Sequence, residues 1–412
     1  MILDVLRWLV LIAALAPLAY YVVATYCGWF YFRTVRKAPP ATPGFTPPVS
    51  ILKPVRGLDH EAYENFASFC RLDYPQYEIL FGVVDSDDPV IPLIENLQRS
   101  FPERAIRISV GAPSLGTSPK MNNLCRLVRE AKFDLLVIND SDVRVEADYL
   151  RNAVAPFQDP QVGVVTAFFR SITKGNFASD LDAVGVPSDS SANVLVAHKF
   201  GGIDFALGWT MAITKERLEE IGGFEAMASH HSDDFTLGNR IVKHGYRIAL
   251  MRKPVWMVFP REGLRQFLMH ELRWSIMLRN IRPLGYVGLA MTFGLPWALL
   301  AAVLAPSVSA SAGYLLAYLI LRLTMAWIVA AWGLGDPVVR KKLWLVPLRD
   351  AANFAVWVAA FFSSKVRWRG EEYRIKQNNL IPLTETLNPG LGAPAPAPLI
   401  SARRLDAPSQ RF

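Results

Sequence analysis

The chain opens on an apolar run from Leu9 to Phe32, roughly 24 positions broken by one proline, long enough to cross a hydrocarbon core. Arg7 alone precedes it, whereas Arg33, Arg36 and Lys37 follow it closely. Basic flanks stay on the cytoplasmic side, so the pattern predicts a retained anchor (residues 1–36) with the following chain in the cytosol. A cleaved signal peptide is the rival reading, but its apolar region is normally shorter and no small-residue cleavage site follows. Residues 37–49, with Pro39, Pro40, Pro43, Pro47 and Pro48, read as a stiff, extended linker.

From 50 to 266 short apolar strands alternate with helical periodicity. Pro48 to Pro54 and Tyr77 to Val84 have strand character, the second ending in Asp85-Ser-Asp87-Asp88. Helical patterns fall at Tyr63 to Leu72 and Met121 to Ala131, and Leu135 to Ile138 is a buried strand that runs into Asn139-Asp140-Ser-Asp142. Such alternation predicts an α/β, Rossmann-like domain whose parallel sheet is covered by helices and binds ligands beyond the strand carboxyl ends. Val162 to Phe169 is a further strand, and His230-His231-Ser-Asp233-Asp234 opens a helix that runs towards Gly245. Asp180 to Val196 is small, polar and without clear period. Within it, Pro187 to Asn193 reads as an ordinary surface loop or, with Trp209, as part of an acceptor-binding surface.

Residues 267–282 place large apolar groups on one helical face and Arg273, Arg279 and Arg282 elsewhere, which suits a helix lying in a membrane interface; a plain amphipathic surface helix is the alternative. A membrane region, 283–375, follows. It holds spans near Pro283 to Pro306 and Ala312 to Gly333, then Leu343 to Ser364, where Arg349 and Asp350 divide the apolar run and favour a re-entrant or interfacial hairpin over a span. Arg322 falls in mid-span and must face protein, a polar cavity or a headgroup. Residues 376–412, rich in Pro, Ala and Gly after Thr386, read as a disordered tail.

Composition supports a membrane setting: 52% of residues are hydrophobic and only 19% charged, too little charge for a purely soluble chain of 412 residues. The net charge of +8 favours anionic partners, yet no long basic tract or base-stacking motif points to nucleic acid. Cys27, Cys70 and Cys125 form no close pair, so neither a zinc cluster nor a disulfide framework is signalled.

The candidate chemistry lies in the acidic clusters. Alternate residues of an extended chain point the same way, so Asp140 and Asp142 can converge on one hard divalent cation, Mn or Mg, that bridges to a diphosphate. A solvated turn carries the same residues without a metal. Asp233 suits a helix amino end as a cap, which leaves Asp234 the less explained of its pair.

Taken together, these stretches resemble the ceramide glucosyltransferase family of inverting GT-A glycosyltransferases, including its bacterial members acting on hopanoids. The carriers are Ser50-Ile-Leu-Lys-Pro-Val-Arg-Gly-Leu-Asp59, Leu72-Asp-Tyr-Pro-Gln-Tyr-Glu-Ile-Leu80, Asp85-Ser-Asp-Asp-Pro89, Lys120-Met-Asn-Asn-Leu124, Asp140-Ser-Asp142, Ser232-Asp-Asp234 and Arg273-Trp274. The resemblance implies a GT-A catalytic domain between transmembrane helices. It gives Asp85, with Asp87 or Asp88 as alternatives, the uridine, Asp140 and Asp142 the metal, and Asp234 the role of general base. Lys53 and Lys120 match basic positions beside the nucleotide, and Arg273 and Trp274 the mouth of its site. His270 stands where the family has Gln or Arg; it can still donate to a phosphate.

The implied reaction moves a sugar from a UDP-sugar to a lipid hydroxyl at the bilayer, with inversion. UDP-glucose and ceramide are the namesake pair, UDP-N-acetylglucosamine and a hopanoid polyol the alternative. The implied location is a bacterial inner membrane. A polysaccharide synthase would need a polymer channel that two or three spans scarcely provide, a polyprenyl-phosphate sugar transferase would share fewer of these motifs, and a non-catalytic sugar-nucleotide-binding protein would keep the fold without turnover.

Overall fold

The computed structural model describes residues 1–38, 44–368, 371–376 and 378–383. Pro39, Pro40 and Pro43 of the linker and the Pro-rich part of the tail lie outside the described residues. Helices α1 (Ile2–Ala13) and α2 (Ala16–Lys37) come first, with Pro17 in the opening turn of α2 and Arg36 and Lys37 in its last, where a cation complements the helix dipole.

The α/β domain runs β1 (Val49–Val55), α3 (Ala62–Cys70), β2 (Tyr77–Val83), α4 (Val90–Ser100), β3 (Ala105–Val110), α5 (Pro119–Glu130), β4 (Leu135–Ile138), β5 (Val143–Arg144), α6 (Tyr149–Val154), β6 (Val162–Thr166), β7 (Phe169–Ile172), α7 (Phe177–Phe200), β8 (Met211–Thr214), α8 (Lys215–Glu220), α9 (Asp233–Lys243), β9 (Arg247–Leu250) and β10 (Val255–Val258). Among the described residues, seven strands form the main sheet in the order β3-β2-β1-β4-β8-β6-β9. β1 to β4 are parallel, with Val49 paired to both Tyr77 and Leu135. β8 departs from the all-parallel expectation: it lies antiparallel to β4 and β6. A second sheet, β5-β10-β7, flanks it. Leu135 and Val137 of β4 join one core while Leu136 and Ile138 join the other, so the strand is buried on both faces, as its unbroken apolar run requires.

The C-terminal region comprises α10 (Leu264–Ile281), α11 (Pro283–Gly288), α12 (Gly294–Leu304), α13 (Val308–Ala326), α14 (Pro337–Lys342), α15 (Val346–Ala359) and an antiparallel sheet of β11 (Lys365–Trp368), β12 (Glu371–Lys376) and β13 (Asn379–Pro382). Three helical stretches among the described residues are long and apolar enough to cross a membrane: Ile2–Lys37, Val308–Leu334 and Pro337–Phe362. The region expected as a single span from Pro283 is instead bent by 51° between Pro283–Thr292 and Gly294–Leu304.

The hairpin expected over Leu343 to Ser364 is replaced by part of the Pro337–Phe362 helical stretch. The two charges that divide the apolar run are satisfied internally. Arg349 pairs with Glu271 at 2.6 Å, and Asp350 with Arg322 at 2.8 Å. Arg322 is buried against protein and also pairs with Asp189, while Tyr318 donates to Asp350 at 2.8 Å.

The polar stretch after Asp180 is not a loop. It forms most of α7, which the Asn176 side chain caps by accepting from Ala178 and Ser179. Fourteen α7 residues are buried, Pro187 and Ser188 among them, and Pro187 sits inside the helix. Its aspartates dock the C-terminal helices one by one: Asp180 to Lys342, Asp182 towards His270 and Arg349, Asp189 to Arg322. The α/β domain and the long apolar helices therefore share one interior, and Tyr21, Cys27 and Val329 belong to the same apolar cluster as Leu52 and Ile138.

Candidate active site

Every acidic cluster sits at the carboxyl end of a strand or the start of a helix facing it. Beyond Ile138 the chain turns sharply, and Asn139 fixes the turn: its buried side-chain amide lies 2.8 Å from the Tyr149 hydroxyl and 2.9 Å from that of Thr210. Ser141 donates to Asp59, and the Asp142 carbonyl accepts from Val258. The turn is thus held without using the Asp140 or Asp142 carboxylates.

Asp142 is unpartnered at one oxygen. Its Oδ1 is buried with no hydrogen-bond partner among the described residues, a costly state for a carboxylate. Burial, and then Asp140 beside it, pushes its carboxyl up to about 7. Lys120, at the start of α5, lies on the other side of Asp140, its ammonium 2.7 Å from Asp140 and 2.8 Å from Asp233, while the cation acting on Asp142 is Lys53. Burial alone would lower the proton affinity of Lys120, but the two carboxylates outweigh it and hold the ammonium well above its usual range. A buried orphan oxygen beside a second carboxylate fits a divalent cation.

Asp234 stands in the first turn of α9. Its Oδ1 accepts from the Phe235 N–H at 2.7 Å, and its Oδ2 lies 3.3 Å from where a Cβ on Gly208 would sit. Asp140 Oδ2 lies 3.7 Å from the same point, so the hydrogen of Gly208 leaves a narrow space between the two carboxylates. Gly208 and Trp209 form the corner of a tight turn closed by the Thr210 N–H on the Leu207 carbonyl. Burial, then Asp233, pushes Asp234 up to about 7.

The remaining expected residues fall into two groups. Asp85 and Asp87 are exposed at the carboxyl end of β2, one strand removed from β4 across β1. Their neighbour Asp88 is buried and structural: it accepts from the N–H groups of Gly57 and Val90. Arg273 lies near enough to His231 to help burial push that imidazole down to about 4.

Three expectations need correction. Lys53 does not reach a nucleotide, because it is fully buried beneath the turn, with its ammonium 3.8 Å from the Phe69 ring centre and 3.1 Å from the Asp140 carbonyl. Burial pushes it down to about 7 against the pull of Asp140 and Asp142. His270 faces Asp182 with Nδ1 and accepts from Trp274 Nε1 at 2.8 Å with Nε2, so neither nitrogen is open to a phosphate. Asn193 lies on α7 and accepts from Tyr20 of α2, whereas Trp209 packs edge-on to Phe169 at 4.6 Å and donates to the Ala167 carbonyl. Pro187 to Asn193 is therefore a helical segment and not a surface loop.

Two contributors carried no clear sequence signal. Gly208 is one. The other is the segment around Asn378, whose carbonyl accepts from the His231 N–H at 2.9 Å and whose side chain donates to Thr236 at 3.0 Å. A cavity lined by Phe45, Phe133 and Leu135 opens at the amino ends of β4 and β6, away from the acidic clusters.

Comparison with known proteins agrees with this architecture. A ceramide glucosyltransferase 3 of Caenorhabditis elegans is 24% identical over 338 residues, covering 80% of this chain and 73% of that protein. A ceramide glucosyltransferase of Komagataella phaffii is 32% identical over 156 residues, covering 35% of this chain and 30% of the other. Among solved structures, a mannosyltransferase of Pyrobaculum calidifontis in complex with GDP-Man and Mn2+ matches with a TM-score of 0.52 at 22% identity, over 81% of this chain and 99% of that one, which establishes the GT-A-like fold. The model named glycosyl transferase family 21 matches residues 9–381. The carboxylates gathered around Gly208 thus belong to an enzyme, and the chain is a member of glycosyl transferase family 21.

Proposed function

We propose that the enzyme transfers glucose from UDP-glucose to ceramide at the cytosolic face of a bacterial inner membrane, by single displacement with inversion. The observation that carries this reading is the pair of carboxylates, Asp234 and Asp140, that face one space beside Gly208. The names of the curated relatives support glucose and ceramide.

Asp234 Oδ1 is occupied by a backbone N–H, so Oδ2 is the base. It takes the proton of the acceptor hydroxyl as that oxygen bonds to the anomeric carbon, and the bond from that carbon to the diphosphate oxygen breaks on the opposite side. A carboxyl raised to about 7 is a stronger base than an ordinary one, and general-base help of this kind is worth roughly 10²–10⁴-fold. Asp140 and Asp142 would hold a divalent cation, which would supply positive charge against the departing diphosphate. Lys120 and Arg273 serve the same charge, while Asp85 and Asp87 accept hydrogen bonds from the uridine. Trp274, 45% exposed on α10, sits at the mouth, where a lipid hydroxyl can approach from the bilayer.

The test is transfer by purified protein in detergent, offering UDP-glucose and UDP-N-acetylglucosamine against ceramide and a hopanoid polyol, with Mn2+, Mg2+ or chelator. Metal-dependent glucosylceramide is the expected product. A hopanoid product alone reassigns the substrates, and donor binding without product from any pair overturns the catalytic reading.

A further inference from the structure

Outside this site, a second group of ligand-type side chains gathers where α7 meets α10. Asp182 of α7, Glu262 just before α10 and His270 on α10 offer ligand atoms that all lie within 4.8 Å of one another. Asp182 is 2% exposed, and its Oδ1 has no hydrogen-bond partner among the described residues. Its nearest cations are distant for ion pairs: His270 Nδ1 at 3.5 Å and Arg349 at 3.9 Å. Arg349 is engaged more closely by Glu271, at 2.6 Å. One fixed cation and one imidazole thus face the carboxylates of Asp182, Glu262 and Glu271. Burial, then the charge of Asp182, also raises the proton affinity of Glu262.

We propose that Asp182, Glu262 and His270 form a second metal site, separate from Asp140 and Asp142, that takes a divalent transition ion of the zinc class. A buried carboxylate lacking a donor is costly, and a cation held by both carboxylates removes that cost. The imidazole decides which cation. Two oxygens and one ring nitrogen suit zinc and its neighbours, with a coordination position left for water, whereas an all-carboxylate pair such as Asp140 and Asp142 suits magnesium or manganese.

Occupation has a consequence for Trp274. An indole N–H can only donate, so in the metal-free form His270 Nε2 must accept and the ring proton lies on Nδ1. A metal at Nδ1 moves that proton to Nε2 and ends the hydrogen bond, releasing the Trp274 indole.

The experiment counts zinc on full-length protein in detergent, stripped with chelator and equilibrated with Zn2+ alone. In an Asp142→Asn background, where the first site is crippled, one Zn2+ per chain is expected to remain. Adding Glu262→Gln should weaken that binding by more than about tenfold, the loss that an outer-shell partner alone can cause. X-ray absorption at the zinc edge, on wild type carrying one equivalent, should show one imidazole nitrogen among oxygen ligands, and His270→Gln should remove it. The absorption measurement on wild type stands whether or not the variants fold. Zinc binding indifferent to Glu262→Gln in a protein of normal elution, or a spectrum without imidazole, overturns the site.

Discussion

The backbone N–H of His231 donates to the carbonyl of Asn378 at 2.9 Å, which ties the segment leading into α9, whose first turn holds Asp233 and Asp234, to the turn between β12 and β13. Asn378 holds φ at 64°, in the left-handed region, and its side chain reaches Thr236. Left-handed backbone costs an ordinary L-residue about 1–2 kcal/mol, and a lost neutral hydrogen bond about 1 kcal/mol. Asn378→Gly should therefore lose only the second contribution and Asn378→Ala both. Thermal unfolding should rank wild type above Gly above Ala, and acceptor turnover should fall in the same order. Equal stability of the Gly and Ala variants would remove the turn from the account.

Where a pattern comes from one element alone, it was legible. Leu135 to Ile138 is apolar at every position because β4 is buried on both faces, and two carboxylates after such a strand mark a ligand end. Helix α7 was not legible for a related reason. It is surrounded by neighbours, so its apolar groups show no single stripe, and its polar ones, Asp180, Asp182 and Asp189, find partners on helices some 90 to 160 residues later. Pro187 added a false break. Lys53 shows the limit of resemblance: residue type and strand position were readable, but only packing against Phe69 reveals that its ammonium supports the turn from beneath. The strand Asn379–Pro382 is four residues long and borrows its pairing from β12, so no internal period announces it.

Two carboxyls raised to about 7 give the metal-free protein a defined pH dependence. In the unfolded chain Asp142 and Asp234 titrate near about 3.9, so the folded state binds more protons between that value and 7. Their contribution to stability is complete below about 4 and is lost as pH rises through 7. With chelator present, this contribution lowers the melting temperature between pH 5 and pH 8; Asp142→Asn should flatten that slope, and Mn2+ should restore stability most at pH 8. Turnover runs the other way, since Asp234 must be ionised, and should fall tenfold per pH unit on the acid side.

Lys120 competes with any cation at Asp140, since its ammonium already lies 2.7 Å from that carboxylate. Lys120→Met should tighten Mn2+ binding in the absence of donor, on the order of tenfold for about 1.4 kcal/mol of competition removed. It should at the same time lower turnover, because the departing diphosphate loses a cation. Calorimetric titration with Mn2+ reads the first effect and steady-state kinetics the second. Asp234→Asn separates from it cleanly: donor affinity should stay within a few-fold while kcat falls by roughly 10²–10⁴. Weaker Mn2+ binding in Lys120→Met would mean that the lysine organises the metal site and does not compete for it.

Gly208 offers the sharpest separation of folding from chemistry. A Cβ there would meet Asp234 Oδ2 at 3.3 Å and Asp140 Oδ2 at 3.7 Å, tight but not overlapping, and no left-handed φ is required of the residue. Asp234 Oδ2 must give by a few tenths of an ångström to admit the methyl, so Gly208→Ala should cost stability on the order of 1 kcal/mol, the low end of overpacking. The added methyl nevertheless fills the space that the reacting atoms need. A displacement of even an ångström can cost on the order of 10²-fold in rate, so transfer should drop at least that far, with kcat affected more than donor KM. Melting curves and kinetics on the same preparation decide the matter. A Gly208→Ala enzyme that keeps both its melting temperature and its kcat would place the reacting atoms elsewhere and dissolve the pairing of Asp140 with Asp234.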